Sequence, residues 1–311
     1  MSTASHTGPG VFDARPPEAL TAVPVRHWGQ RVSAVVLIGL LGLFVWTVAS
    51  NKNIHWSIVG DYLFDGGILG GLVTTVELTL LAMAIGIALG VVVAVMRLST
   101  NPVLKWVSLG FVWLFRGTPV LVQLIIWFNL AVIFPHIGPS FFQADTNVVI
   151  TSFVAALLGL GLNEAAYMSE IVRAGILSVD PGQTEAAHAL GMPRTLMMRR
   201  IVLPQAMRII IPPTGNETIT MLKTTSLVAV IAANDLLTRA QAIYSSNYAI
   251  IELLLVASFW YLLLTSVASV FQYFLERRFA RGFTRHGTSG PGLAQRVLGN
   301  LRPGRVGGGG A

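Results

Sequence analysis

Six ionisable side chains interrupt the long apolar stretches of this sequence, and they are the residues with most scope for chemistry. They are Glu77, Arg116, Glu164, Glu170, Glu217 and Lys223. A charge at the centre of a membrane helix costs about 3 kcal/mol on insertion scales, so each is by default a functional-site hypothesis. The alternative is a structural ion pair or a side chain that reaches the membrane surface. That alternative is stronger for Arg116 and Glu170, which lie near the ends of their apolar stretches.

Counting residues gives the depth of each charge, because an α-helix rises about 1.5 Å per residue. Glu164 and Glu217 both lie roughly 12 Å from the inner ends of their stretches, which is compatible with one shared layer of a cavity. Two close carboxylates repel each other unless a cation or a proton intervenes, and a substrate ammonium or guanidinium would supply that cation. Glu77 and Lys223 lie roughly 10 and 13 Å from the outer side, so they are candidates for an ion pair.

Uncharged polar residues accompany these charges. Asn163, Tyr167 and Glu170 share one stripe at helical spacing. They either make hydrogen bonds between helices, as polar groups in membranes commonly do, or line a solute path. The candidate solute path comprises Asn163, Glu164, Tyr167, Asn216, Glu217, Thr220 and Thr224. Glu77, Arg116, Glu170 and Lys223 are interpreted as structural or path charges.

The sequence lacks the residues that cysteine chemistry, a local metal motif or ATP hydrolysis would need. The chain has no cysteine, which excludes a disulfide scaffold, a thiolate metal site and a cysteine nucleophile. Its six histidines are too widely separated to suggest a local metal motif. None of the three lysines follows a glycine, so the Gly-Lys-Ser or Gly-Lys-Thr end of a phosphate-binding loop is missing. The chain therefore does not hydrolyse ATP through that motif.

The elements that must position the charged residues are membrane spans. The chain has 311 residues, of which 53% are hydrophobic and 11% charged, against about 25% charged in soluble domains. Six apolar stretches are long enough to cross a bilayer, and they lie near 32–50, 70–96, 108–134, 149–172, 209–233 and 247–274. The third is interrupted by Arg116-Gly117-Thr118-Pro119 and the fifth by Pro212-Pro213. The pattern predicts an all-α polytopic membrane protein.

The basic residues orient these spans. All but four of the 21 Lys and Arg residues lie in the N-terminal tail, the 97–107 loop, the 173–208 loop or the C-terminal tail. The positive-inside rule places these segments, and thus both termini, in the cytoplasm. The net charge of +7 is therefore a topology signal rather than a nucleic-acid surface. The first span is expected to be a retained signal anchor, and residues 1–31 and 284–311 are predicted to be disordered.

The loop between the fourth and fifth spans predicts a short helix over about 181–190. Asp180 suits the N-cap, Pro181 suits the first helical position, and Gln183 completes a capping-box spacing. Gly191 is a natural helix end. Such a helix is too short to be stable alone in water, so it must pack either on its own bundle or on a soluble partner.

This loop resembles a motif of a known family. Glu185-Ala186-Ala187, Gly191 and Leu203-Pro204 resemble the EAA motif of binding-protein-dependent ABC importer permeases. Segments 115–123, 166–171, 212–217 and 223–227 are similar to the polar amino acid branch. The resemblance covers about 67–283, with the EAA loop at about 180–204. It implies a type I importer fold with a methionine-permease-like core of five helices, preceded here by an extra helix and an extracellular loop over 32–66.

The resemblance also implies a function and partners. It implies a multi-pass permease subunit of a bacterial plasma membrane importer, which moves a polar amino acid inward. On the charge argument above, that amino acid is zwitterionic or cationic. The EAA loop would couple to a cytoplasmic ABC ATPase dimer that binds ATP and Mg, while an extracellular or periplasmic amino-acid-binding protein delivers the solute. A second permease subunit, identical or different, would complete the pore in the lipid bilayer. The chain itself is expected to bind no cofactor or metal and to be no enzyme.

Two positions depart from the family pattern, and other functions stay open. Thr224 stands where an Asp is common and Glu164 where a small residue is common, so both bear on substrate choice. The EAA loop fits equally a permease for an opine, an ectoine-like compound or methionine. A secondary transporter commonly has ten or more helices or an inverted repeat, and a membrane enzyme needs a catalytic constellation, so both are disfavoured.

Overall fold

The computed structural model describes residues 28–139 and 143–279. The predicted disordered tails lie outside the described residues, except that residues 28–31 belong to a helix. The chain divides into two units, the first ending at Ile54 and the second beginning at His55. The first contains one described helix, α1 (Trp28–Ala49), which is apolar all round and buries none of its residues. Such a surface suits contact with lipid on every side.

The second unit is built almost entirely of helices. They are α2 (Trp56–Leu63), α3 (Gly66–Leu98), α4 (Pro102–Gly117), α5 (Val120–Phe128), α6 (Thr146–Val149), α7 (Ser152–Leu177), α8 (Pro181–Ala189), α9 (Arg194–Met197), α10 (Leu203–Thr224), α11 (Leu236–Asn247) and α12 (Ile250–Phe279). Two-residue strands β1 (His136–Ile137) and β2 (Ala144–Asp145) pair antiparallel, with His136 opposite Asp145. This strand pair is a small departure from the predicted all-α content.

Three of the described helices, α1, α3 and α12, are each long and apolar enough to cross a membrane. The number rises to five if each of two bent helix pairs is counted as one span. The predicted span at 149–172 corresponds to α7, which has 26 residues but is not among these five. Its polar residues lower its hydropathy, and it is instead covered by protein, since it packs along α3.

The predicted third span at 108–134 is two helices rather than one. Helix α4 ends at Gly117, α5 begins at Val120, and the two meet at 101°. Pro119 disfavours helical backbone at the residue before it, and Thr118 is accordingly extended, with φ −112° and ψ 143°. The buried Gln123 closes the break, because its amide donates to the Phe115 carbonyl at 3.0 Å and to the Thr118 hydroxyl at 2.8 Å.

The fifth apolar stretch tolerates the two prolines that interrupt it, because α10 continues through both Pro212 and Pro213. It begins at Leu203 rather than near 209, and a 3-10 helix extends it over Thr225–Ile231. Gln272 of α12 donates to the Pro212 carbonyl at 3.3 Å. Contacts of this kind from a neighbouring helix let membrane helices tolerate proline.

Small residues bring α3 and α7 into close contact. A Cβ atom added at Gly90 would lie 2.6 Å from the Cβ of Met168, and one added at Gly161 would lie 2.9 Å from Ile85. Glycine at helix interfaces lets backbones approach in membranes, where lipid tails give no hydrophobic drive for helix association. The two helices therefore form the closely packed centre of the second unit.

Candidate functional site

A cavity of about 660 Å³ lies between the α4–α5 break, α7 and α10. We call it the central cavity, and it is lined by Arg116 together with six of the predicted path residues: Asn163, Glu164, Tyr167, Glu217, Thr220 and Thr224. Asn216, the other predicted path residue, is exposed and does not line it. The structure thus brings together residues from three separated segments of the chain.

Glu164 is the most unusual residue of the central cavity. Its side chain is buried, with 4% of the residue exposed, and its Oε1 has no hydrogen-bond partner among the described residues. Space for it exists because Gly86 of α3 lies opposite, where a Cβ atom would come within 2.8 Å of the Glu164 Cβ. Burying a carboxylate oxygen without a partner is costly unless a counter-charge or donor completes the site.

Glu217 gives the same cavity a second carboxylate. It is half-buried on α10, and Thr220 and Thr224 follow it at helical spacing on the same face. Both carboxylates line one cavity, which is the arrangement that depth counting predicts. Two acidic groups and two threonines make this wall suited to a cation that also donates hydrogen bonds.

Hydrogen bonds to the α4–α5 break hold another part of the cavity lining in place. The Asn163 amide donates to the Phe115 carbonyl at 2.7 Å, next to the contacts that Gln123 makes with the same carbonyl and with Thr118. Asn163 therefore makes the bond between helices that one interpretation of the sequence predicts, and it also lines the central cavity. Gln123 was not among the predicted site residues, and its position four residues after Pro119 was the available signal.

Glu170 lies in a cluster of cations. It forms ion pairs with Arg97, with Arg173 at 2.9 Å and with Arg116 at 3.8 Å. The guanidinium of Arg116 also lies over the ring of Tyr167, 4.9 Å from its centre, a distance typical of cation–π contacts. The geometry favours the structural interpretation of Glu170, with Arg116 linking this ion cluster to the central cavity.

The ion pair predicted between Glu77 and Lys223 is not found. Neither residue takes part in an ion pair between described residues, and both are exposed. Glu77 lines a different pocket, together with Arg239. Depth counting failed because similar depth does not place two side chains on facing sides of their helices.

The predicted loop helix exists as α8, one residue shorter than expected. Asp180 caps it by accepting from the Gly182 N–H at 2.7 Å, rather than from the Gln183 N–H that a capping box uses. Gly191 ends the helix with φ +70°, a left-handed conformation that favours glycine. The Met192 N–H bonds to the Ala187 carbonyl at 3.0 Å, completing a Schellman motif.

The two faces of α8 differ. Ala187 is buried and packs in a core that includes Val202 and Ala206, whereas Glu185 and Ala186 are exposed. Leu203, the first residue of α10, is also partly exposed and is followed by Pro204. One face of the helix is thus anchored on its own bundle, and the other is exposed.

Comparison with known proteins identifies the family to which the chain belongs. Residues 86–281 match the family described as binding-protein-dependent transport system inner membrane component. The chain belongs to this family. It is 47% identical over 282 residues, 90% of this chain and 89% of the relative, to the arginine transport system permease protein ArgU of Corynebacterium glutamicum. Since the family's members are membrane permease subunits, the chain is a transporter subunit and not an enzyme.

Solved structures agree with this membership. A crystal structure of an amino acid ABC transporter with histidines is 37% identical, with a TM-score of 0.61, and the match covers 68% of this chain and 94% of that one. An inward-facing MetNI methionine ABC transporter matches at 19% identity with a TM-score of 0.54, over 68% of this chain and 96% of that one, and shows the fold. This permease is therefore a type I importer transmembrane domain of an amino acid ABC transporter.

Proposed function

We propose that the central cavity of this permease conducts a cationic amino acid into the cytoplasm. The observation that carries the proposal is the buried Glu164 with its unpartnered oxygen, in the same cavity as Glu217. An ammonium or guanidinium group between the two carboxylates relieves their repulsion and supplies the missing donor. The name of the 47% identical relative, an arginine permease, supports the same solute class.

The other cavity residues receive complementary roles. Arg116 is the cation that lines the cavity, so it attracts the α-carboxylate of the solute while Glu170 holds it against Tyr167. Asn163, Tyr167, Thr220 and Thr224 offer neutral hydrogen-bonding groups along the path. Asn216 lies outside the cavity lining, and Glu77 and Lys223 are not assigned to this path.

The energy of ATP hydrolysis is proposed to reach the permease through the exposed face of α8. Glu185, Ala186 and Gly191 would dock on a cytoplasmic ABC ATPase dimer that holds ATP and Mg, while the buried Ala187 and the neighbouring Leu203-Pro204 transmit the movement to α10. A second permease subunit, identical or different, completes the pore, and an external amino-acid-binding protein delivers the solute. Support comes from the family membership and from the contrast between the two faces of the helix.

The solute is tested by reconstituting the permease with its ATPase and binding protein in proteoliposomes. Uptake and ATPase stimulation are measured with arginine, lysine, histidine, glutamine, glutamate and aspartate. Arginine or lysine is expected to give the largest stimulation, because the cavity has two carboxylates. Best stimulation by glutamate or aspartate would overturn the proposal.

Coupling is tested with Glu185→Lys and Gly191→Val. The first reverses a docking charge, and the second puts a branched side chain at φ +70°. Both variants should insert normally and retain ATP hydrolysis while losing solute uptake. Gly110→Val is the matched control, because Gly110 has open space around it and an ordinary helical backbone. Normal coupled uptake in both α8 variants would count against the assignment.

A further inference from the structure

A second polar pocket, of about 440 Å³, lies at the end of α7 opposite to α8. We call it the outer pocket, because the predicted topology places this end of α7 outside the cell. It is lined by Thr74 and Glu77 of α3, Ser152 at the start of α7, and Asn234 and Arg239 near the start of α11. Its volume lies within the range of about 300–1,000 Å³ common for small-ligand sites.

The two charges of the outer pocket have no partner in the part of the chain that the structure describes. Among residues 28–139 and 143–279, no ion pair or side-chain hydrogen bond satisfies the Glu77 carboxylate or the Arg239 guanidinium. Glu77 lies in the fourth turn of a helix that is otherwise apolar enough to cross a membrane. A charge in such a helix is costly without a function or a partner. Opposite charges in one pocket, not bonded to each other, are available to a ligand.

The carboxylate nearest to Arg239 in sequence is already occupied. Asp235 is buried and caps α11, accepting from the Leu237 N–H at 3.2 Å and the Thr238 N–H at 3.1 Å. The Tyr261 hydroxyl donates at 3.3 Å to the same carboxylate oxygen that accepts from the Leu237 N–H. Asp235 therefore fixes the start of α11 without neutralising Arg239.

Close packing holds Arg239 against α3. A Cβ atom at Gly71 would lie 2.8 Å from the Arg239 Cγ, so the aliphatic stem crosses α3 where a glycine makes room. The Leu236 N–H donates to the Thr75 hydroxyl at 3.1 Å and ties the start of α11 to the same turn of α3. These contacts position the guanidinium beside the helix that carries Glu77.

A second positive element lines the same pocket. The first N–H groups of α7 have no acceptor within their own helix, and the helix N-terminus carries a partial positive charge. Thr151 satisfies the Val154 N–H at 3.3 Å, and Ser152 and Phe153 line the pocket. The pocket thus combines an anion-attracting side, from Arg239 and the α7 N-terminus, with an anionic side from Glu77.

We propose that the outer pocket is a binding site for the α-ammonium and α-carboxylate groups of an amino acid, occupied before the solute reaches the central cavity. Glu77 accepts hydrogen bonds from the ammonium group, and Arg239 donates to the carboxylate. The inference rests on amino acid transport through this chain, but not on the charge of the solute side chain. The outer pocket binds only the groups that all amino acids share, whereas the two carboxylates of the central cavity also select the side chain.

The absence of cysteine from the sequence allows a direct test. Ser152→Cys is introduced into the permease, which is purified with its ATPase in lipid nanodiscs without nucleotide or binding protein. Its labelling rate with a charged methanethiosulfonate reagent is measured on the permease chain, with added arginine, glutamine or agmatine. Agmatine keeps the guanidinium but lacks the α-carboxylate. Ser246→Cys is the control, because Ser246 is exposed at the far end of α11 and does not line the pocket.

Arginine and glutamine are both expected to slow labelling at position 152, by about tenfold at about ten times their Kd, while agmatine and the control position show no protection. Adding Arg239→Gln or Glu77→Gln should abolish protection. Adding Glu164→Gln should leave the protection at position 152 unchanged, whether or not that variant alters the preference of the central cavity for cationic amino acids. Equal effects at positions 152 and 246, or equal protection by agmatine, would overturn the site. Thr74→Cys repeats the test if Ser152→Cys does not yield folded complex.

Discussion

Helix α7 carries two glutamates six residues apart, and their surroundings differ completely. Glu164 is buried, lines a cavity and has an oxygen without a partner among the described residues. Glu170 is also mostly covered but meets three arginines. The comparison teaches that an ionisable residue inside a membrane helix is not functional by position alone, because its partners decide whether its charge is available.

The arginines around Glu170 come from three helices. Arg97 lies near the end of α3, Arg116 near the end of α4 and Arg173 on α7 itself. One carboxylate thus ties three helix ends together at a single level. Glu164 forms no ion pair with another described residue, and α3 provides a glycine opposite it rather than a donor. We therefore treat Glu170 as a structural centre and Glu164 as a solute contact.

The first and largest test of this contrast is Glu170→Gln. Removing the charge leaves three arginines without their counter-charge, which should destabilise the complex by about 3 kcal/mol, as breaking a largely buried ion pair does. Glu164→Gln is the matched control, because it makes the same substitution in the same helix. It should leave stability unchanged or improve it, since an unpartnered buried charge is removed.

Thermal unfolding of the purified complex in detergent measures both variants. A lower Tm for Glu170→Gln alone would support the contrast. A larger loss of Tm for Glu164→Gln would reverse the assignment of the two residues.

Part of this contrast is visible in the sequence. Arg173 follows Glu170 at i+3, so their local pairing is expected. Arg97 is 73 residues away, and only the packing of α3 along α7 brings it to Glu170. Depth counting placed Glu164 and Glu217 in one layer but also suggested a pair of Glu77 and Lys223. Depth along a helix is a local quantity, whereas the direction of a side chain around the helix depends on tertiary packing.

The fold likewise combines features that local sequence determines with features that depend on distant contacts. The core helices and the α8 loop follow from hydropathy, capping residues and Gly191, all of which act locally. The break between α4 and α5 also follows from local sequence, at Pro119, but its 101° angle does not, because Asn163, which is distant in sequence, holds the break by a hydrogen bond to the Phe115 carbonyl. Helix α11 corresponds to the segment between the fifth and sixth predicted spans, for which hydropathy predicts a loop. Its N-cap Asp235 was a local signal, but its mixed composition hid the helix.

The second test measures solute preference in Glu164→Gln. A charge-assisted hydrogen bond to a cationic side chain is worth about 1.5–3 kcal/mol, and a neutral side chain gains none of it. The ratio of arginine to glutamine uptake should therefore fall by roughly 30-fold, since 1.4 kcal/mol is tenfold. Glu170→Gln should keep the wild-type ratio among the molecules that stay folded. An unchanged ratio in Glu164→Gln would remove Glu164 from the solute path.

The smallest and most selective test uses the glycines of α3. In Gly86→Ala the new methyl group meets the Cβ of Glu164 at 2.8 Å, and in Gly90→Ala it meets the Cβ of Met168 at 2.6 Å. Both substitutions overpack the same helix pair one turn apart, so each should cost about 1–3 kcal/mol of stability. Only Gly86→Ala displaces the carboxylate, so only it should change the arginine-to-glutamine uptake ratio, by about 1 kcal/mol or roughly fivefold. If the two variants share one ratio, general packing of α3 on α7, rather than the position of Glu164, controls solute choice.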